Sequence, residues 1–338
     1  METQTITTLA ALEACIGKAI AAVNLKVIDH LDEGALRWLS AAPVMFAGFG
    51  EGSRLQVTLG GGAPGFAGGT AHELRLPLAV LDDATGARPG VGFGSLFLLP
   101  STGETLRVNG RVAQVSGGEL RVTVEECYGH CAKALLRSDF WAASPGVASP
   151  PDAAAFVSAS RFMALATLDA QGRADLSPRG DPAGSMASVE AGRVWFADRP
   201  GNRRVDSFRN IVTQPRMAAL LLIPGATHVV RLSGSARLTT DEAARARFTV
   251  QGKTPTLVAG VEDPSLELLE SPALARARLW PVQARPEGVD VAKVLFTHVK
   301  LNGNKSLGAR IASAALSIPG VTGLVQKGME KDYKDNLY

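Results

Sequence analysis

Cysteine is scarce in this chain: Cys15, Cys127 and Cys131 are the only three among 338 residues. They are too few for a disulfide framework and fit a reducing compartment. A surplus of either charge is also missing. The formal net charge of +3 is too small by itself to point to nucleic acid or a membrane surface. No apolar run reaches the roughly eighteen residues of a membrane-spanning helix. The first residues are acidic and Thr-rich, without the basic-then-apolar order of a secretory leader. The Gly-rich stretch from Gly60 to Gly69 does not lead from a strand into a predicted helix, as a Gly-x-Gly-x-x-Gly dinucleotide fingerprint requires, so it reads as a flexible loop. Cys127-Tyr-Gly-His-Cys131 lacks a second ligand pair, which argues against zinc. A lone histidine such as His72, His130 or His228 is more often structural than a haem ligand. No Ser-His-Asp order and no carboxylate pair stands out. These absences leave a soluble cytoplasmic protein with no metal, membrane or nucleic-acid partner. Its length suggests two ordinary domains.

Repetition is what the chain has instead. Leu96-Phe-Leu-Leu-Pro100 leads to Leu106-Arg107-Val-Asn-Gly110, and Leu220-Leu-Leu-Ile-Pro224 leads in the same register to Val230-Arg231-Leu-Ser-Gly234. Upstream, Trp38 to Met45 echoes Phe156 to Met163. Downstream, Ala134 to Trp141 echoes Ala273 to Trp280. Four landmarks recurring in one order indicate a duplicated domain. Such a duplication can fold as a built-in dimer whose two interface sites are no longer identical.

Apolar residues at helical spacing predict two helices over residues 8–42, with Asp29 or Asp32 as a cap. Short apolar runs separated by Gly, Pro and Asp then predict strands from Val44 to Val115 and at Leu120–Glu125, and a helix over Cys127–Ser138. The second copy repeats this order, with a hairpin turn at Asp169–Gly172 and a short helix from Asn202 to Asn210. About six antiparallel strands per copy give a mainly β, α+β fold of two closed or half-closed barrels with flanking helices. The expected boundaries are a helical extension at 1–30, a first repeat at 31–143, a second at 152–285, and an arm at 286–338.

The densest polar signal is Leu176-Ser-Pro-Arg-Gly-Asp-Pro182, followed by Asp198-Arg-Pro-Gly-Asn-Arg-Arg204. Both segments end predicted strands, and two Arg-bearing turns at neighbouring strand ends can converge on one dianion. Arg203 and Arg204 offer forked donors suited to phosphate. Asn202, if it opens the helix, would add free backbone amides. The plain alternative is a solvated Arg-rich turn.

These residues resemble the FMN-binding split barrel of the pyridoxamine 5′-phosphate oxidase-like superfamily, and in particular its flavin-nucleotide-binding branch. The two turns carry the resemblance in the second copy; Glu104–Arg111 and Glu125–Trp141 carry it in the first. It implies two tandem split β-barrels paired as an intramolecular pseudo-dimer, with room for a further homodimer. It also implies one FMN per chain in the cleft between them. Arg179, Gly180, Asp181, Arg199, Asn202, Arg203 and Arg204 would form the phosphate side. Lys133, Arg137 and Trp141 would form the facing wall, near Cys131. In the reciprocal site Gly60-Gly-Gly-Ala-Pro replaces the Ser-Pro-Arg-Gly-Asp-Pro turn and Pro272 replaces Lys133, so that site is expected to be lost. The implied activity is a flavin-dependent oxidoreduction on a small molecule, with no catalytic residue assigned. The alternative is a non-catalytic module for FMN, a B6 phosphate or haem.

Overall fold

A computed structural model describes residues 5–18, 21–201, 204–303, 323, 327–328, 331–333 and 335–338. After a two-residue strand β1 (Thr5–Ile6), the first repeat runs β2 (Val44–Glu51), β3 (Arg54–Gly61), β4 (Gly68–Thr70), β5 (Glu73–Pro77), β6 (Gly92–Leu98), β7 (Thr105–Ser116) and β8 (Glu119–His130). The second runs β9 (Phe162–Leu168), β10 (Ala174–Gly180), β11 (Ala187–Glu190), β12 (Arg193–Ala197), β13 (Arg216–Leu222), β14 (His228–Thr239) and β15 (Val258–Glu270). Both sheets are antiparallel. Their strand orders are β3-β2-β6-β7-β8-β5-β4 and β10-β9-β13-β14-β15-β12-β11, the same path element for element. The duplication seen in the sequence is therefore a duplication of topology.

The continuous apolar runs form strands buried on both faces, as alternation along a strand requires when both sides meet protein. In β2, Met45 and Ala47 enter the core of the first repeat, while Val44 and Phe46 face the second. In β13, Ala219 and Leu221 enter the second core, while Ala218, Leu220 and Leu222 face the first. The shared layer between the repeats is apolar, with the Phe46 and Phe162 rings 5.5 Å apart and Phe140 5.1 Å from Phe162. The fold is two split β-barrels pressed together as an internal dimer.

Helices close the barrels: α1 (Leu9–Ile16), α2 (Glu33–Ala41), α3 (Lys133–Arg137), α4 (Ala153–Ala159), α5 (Asp206–Thr213), α6 (Glu242–Ala246), α7 (Pro272–Ala277) and α8 (Val291–Leu301). In the equivalent helices α2 and α4, Asp32 and Asp152 cap the amides of Ala35 and Ala155, and Trp38 and Phe156 are buried. The N-terminal extension joins the second repeat, where Thr5 of β1 pairs with Thr239 of β14. From the expected arm, α8 returns to the first repeat: Val291 and Val294 enter its core, and the buried His298 meets Asp32 at 3.2 Å.

Three local expectations change. The helix expected over Cys127–Ser138 shrinks to Lys133–Arg137, because Cys127 to His130 continue β8 against β7. The helix expected from Asn202 starts at Asp206, after Val205 in the left-handed region (φ 49°). Strand β15, absent from the sequence reading, carries Pro264 where its pairing with β14 shifts register.

Candidate functional site

The short helix α3 of the first repeat lies on the end of β10 of the second, at Gly180. That contact brings the α3 cations over the first Arg-bearing turn. A cavity of about 960 Å³ opens there, walled by Lys133 and Arg137 on one side and by Arg179, Asp181, Arg199 and Arg204 on the other.

Arg179 projects from β10 and stacks over the Phe208 ring at 4.2 Å, with Phe196 at 5.4 Å. Burial holds its guanidinium below the usual arginine range, and its Nε has no partner. Asp181, only 2% exposed, accepts from Arg199 Nε at 2.7 Å. Burial raises the Asp181 carboxyl and the Arg199 charge opposes that rise. Asp181 Oδ1 and one terminal nitrogen of Arg199 lack partners. Such orphaned buried atoms, half of a charged pair each, fit a site built to receive a polar ligand.

Lys133 and Arg137 lie four residues apart and both turn inward. Arg137 bridges the repeats by donating to the carbonyl of Pro200 at 2.5 Å. Its guanidinium is held down by burial. Arg204 also lines the cavity, but it donates to Asp206 and, at 3.3 Å, to Glu126, and it stacks on Tyr128 at 4.7 Å. Its position is that of a charged brace between repeats. Trp141 stands apart from the cavity wall: its indole donates to Thr102 O at 2.7 Å and its ring meets Phe140. Asn202 and Arg203 lie outside the described residues.

Several lining residues were not legible beforehand. Arg107, 1% exposed, crosses from β7 to Asp175 of β10 and to Ser177 at 3.0 Å. Its sequence signal is a charge between Leu106 and Val108 in a doubly buried strand. Asp175 is the matching charge between Ala174 and Leu176. Asp198 faces the cavity and receives no side-chain hydrogen bond among the described residues; burial pushes it up to about 6, opposed by Arg179 and Arg137. Burial and the neighbouring Asp175 bring Asp206 to about 6 as well. His130 lines the same wall, held neutral by burial with an unpartnered Nδ1.

At the reciprocal position Arg276, the counterpart of Arg137, donates to the carbonyls of Gly61 at 3.1 Å and Val80 at 2.8 Å. Gly60 and Pro272 occupy the places of Arg179 and Lys133, and Leu81 packs on Gly60. The two ends of the internal dimer have diverged chemically.

Residues 149–273 match the family model described as pyridoxamine 5′-phosphate oxidase. The second repeat is thus similar to the pyridoxamine 5′-phosphate oxidase family. Arg179, Asp181, Arg199 and Arg204 fall inside the matched segment, whereas Arg107, Lys133 and Arg137 come from the other repeat. No curated protein is significantly similar in sequence. Among solved structures, HupZ of Group A Streptococcus is 19% identical, over 33% of this chain and 88% of its own, with a TM-score of 0.28. General Stress Protein 26 of Bacillus anthracis is 16% identical, over 34% and 92%, at 0.26. HutZ of Vibrio cholerae, described as a haem storage protein, is 12% identical, over 33% and 86%, at 0.23. Among the described residues, no group of three or more His, Cys, Asp or Glu is placed to hold a metal. No described helix is long and apolar enough to cross a membrane.

Proposed function

We propose that the cleft between the repeats holds one FMN and that the protein is a flavin-dependent oxidoreductase acting on a small molecule. One observation supports this above the others: cations from both repeats, Lys133, Arg137, Arg179 and Arg199, converge on one cavity. Arg179 and Arg199, with Lys133 facing them, would hold the phosphate, and Asp181 would orient the Arg199 fork. When bound, the flavin supplies the hydride and electron chemistry, and the chain supplies binding and orientation. Asp198, with its raised pKa, is the cavity group suited to hold or release a proton near neutrality.

The test is the absorption spectrum of the purified protein, with released flavin quantified against chain. The expected result is one FMN per chain, bleached by a nicotinamide donor and recoloured in air. Arg179→Ala with Arg199→Ala should lower that occupancy at least tenfold in a folded protein; unchanged occupancy would refute the phosphate assignment. A second reading, a non-catalytic module for haem or a B6 phosphate, is favoured by His130, whose unpartnered imidazole nitrogen borders the cavity. A haem band in place of flavin absorption, or a flavin that resists every reductant, would select it.

A further inference from the structure

The cleft contains a segment of the chain itself. Lys133 Nζ pairs with the Asp332 carboxylate at 2.8 Å and donates to Asn336 O at 2.9 Å. Arg137 Nε donates to Leu337 O at 2.6 Å. The Tyr338 ring has the Arg137 guanidinium 5.4 Å from its centre and the Arg199 guanidinium at 5.5 Å. Burial and the nearby Asp181 charge raise the pKa of its hydroxyl. Lys253 Nζ donates to Tyr338 O at 2.7 Å. These contacts engage three of the four cations assigned to the cofactor.

The segment presents an aromatic ring against two guanidinium groups and an anion on a lysine. A planar ring carrying an anionic end has the same two features and needs the same partners. Lys133, whose side chain is 8% exposed, is already bonded to Asp332 and Asn336. Two occupants therefore cannot use Lys133, Arg137 and Arg199 in full together.

We propose that the segment bearing Asp332, Asn336, Leu337 and Tyr338 acts as a displaceable internal ligand of the cleft, excluded when a phosphorylated planar ligand binds and excluding it when docked. The inference rests on the reading of the cleft as an FMN site. A segment docked nine-tenths of the time weakens the apparent affinity for the competing ligand about tenfold, because only the open fraction binds.

The experiment titrates FMN into flavin-free full-length protein, following flavin fluorescence, and repeats it with Asp332→Asn combined with Tyr338→Ala. Matched thermal melts establish that both proteins fold. Hydrogen exchange of residues 331–338 is measured with and without saturating FMN. The expected result is about tenfold tighter binding by the variant and faster exchange of the segment when FMN is added. Equal or weaker binding by the variant, or slower exchange with FMN, overturns the inference while leaving the FMN reading standing. Failure of both proteins to bind FMN overturns the FMN reading and this inference with it.

Discussion

The carbonyl oxygen of Ala134 lies 1.9 Å from where a Cβ on Gly180 would stand, and the equivalent pair, Ala273 and Gly61, repeats the relation at 2.8 Å. Each repeat thus lays the backbone of a short helix on the end of the other's second strand. At one end this contact carries Lys133 and Arg137 over Arg179. At the other it carries Pro272 and Arg276 over Gly60, and no comparable set of cations meets.

Gly180→Ala should therefore push α3 off β10. The obstacle is backbone, which cannot rotate aside, so a cost at the upper end of the ~1–3 kcal/mol typical of overpacking is expected. Gly61→Ala should cost less. Urea denaturation measures both, and flavin occupancy should fall in Gly180→Ala but persist in Gly61→Ala. The reverse order would place the live cleft at the other end.

Arg107 and Asp175 form a buried ion pair between the repeats at 2.5 Å. Asp175→Ala leaves a guanidinium in the interior with only the more distant Asp206, at 3.7 Å, as a counter-charge. A loss of about 3–5 kcal/mol is expected. Adding Arg107→Met should restore much of it, which a double-mutant cycle would show as coupling. The equivalent Arg231 also crosses between repeats, to Asp83 at 2.8 Å, but both side chains are partly exposed. Asp83→Ala should cost about 1 kcal/mol or less.

Asp198 gives a pH signature. Its pKa is raised from 3.8 to about 6 in the folded chain, mainly by burial. Between these values the folded chain keeps a proton that the unfolded chain has released, so this group lowers stability as pH rises through that window. Asp198→Asn should melt higher than the parent at pH 7 and converge with it toward pH 4. Parallel melting curves across that range would show that the carboxyl is not desolvated.

Trp141 and Trp280 each donate an indole N–H to a backbone carbonyl, Thr102 O and Phe140 O, at 2.7 and 2.8 Å. Trp141→Phe and Trp280→Phe should each cost about 1 kcal/mol without changing flavin occupancy. Loss of flavin in Trp141→Phe alone would return that residue to the cofactor wall.

The apolar runs at Leu96 and Leu220, their common spacing to the following strands, and the Arg-Gly-Asp turn were enough to read a duplicated barrel with one cation-rich end. Those features are local: strand alternation, turn chemistry and residue order survive in one dimension. The resemblance put Trp141 on the cofactor wall, but the chain leaves α3 after Arg137 and the indole donates to Thr102 O instead. Arg107 and Asp175, 68 positions apart, could be seen as odd charges in buried strands but not as partners.

Composition, periodicity and repetition by themselves determined the class of fold, its doubling and the end at which arginines cluster. Tertiary structure alone decided which strand ends meet across the shared apolar layer. It also decided that Asp332, Asn336, Leu337 and Tyr338 share the cleft. The reason is physical: pairing energies between charges depend on distance and burial, and both are set by the packing of the two barrels, not by separation along the chain.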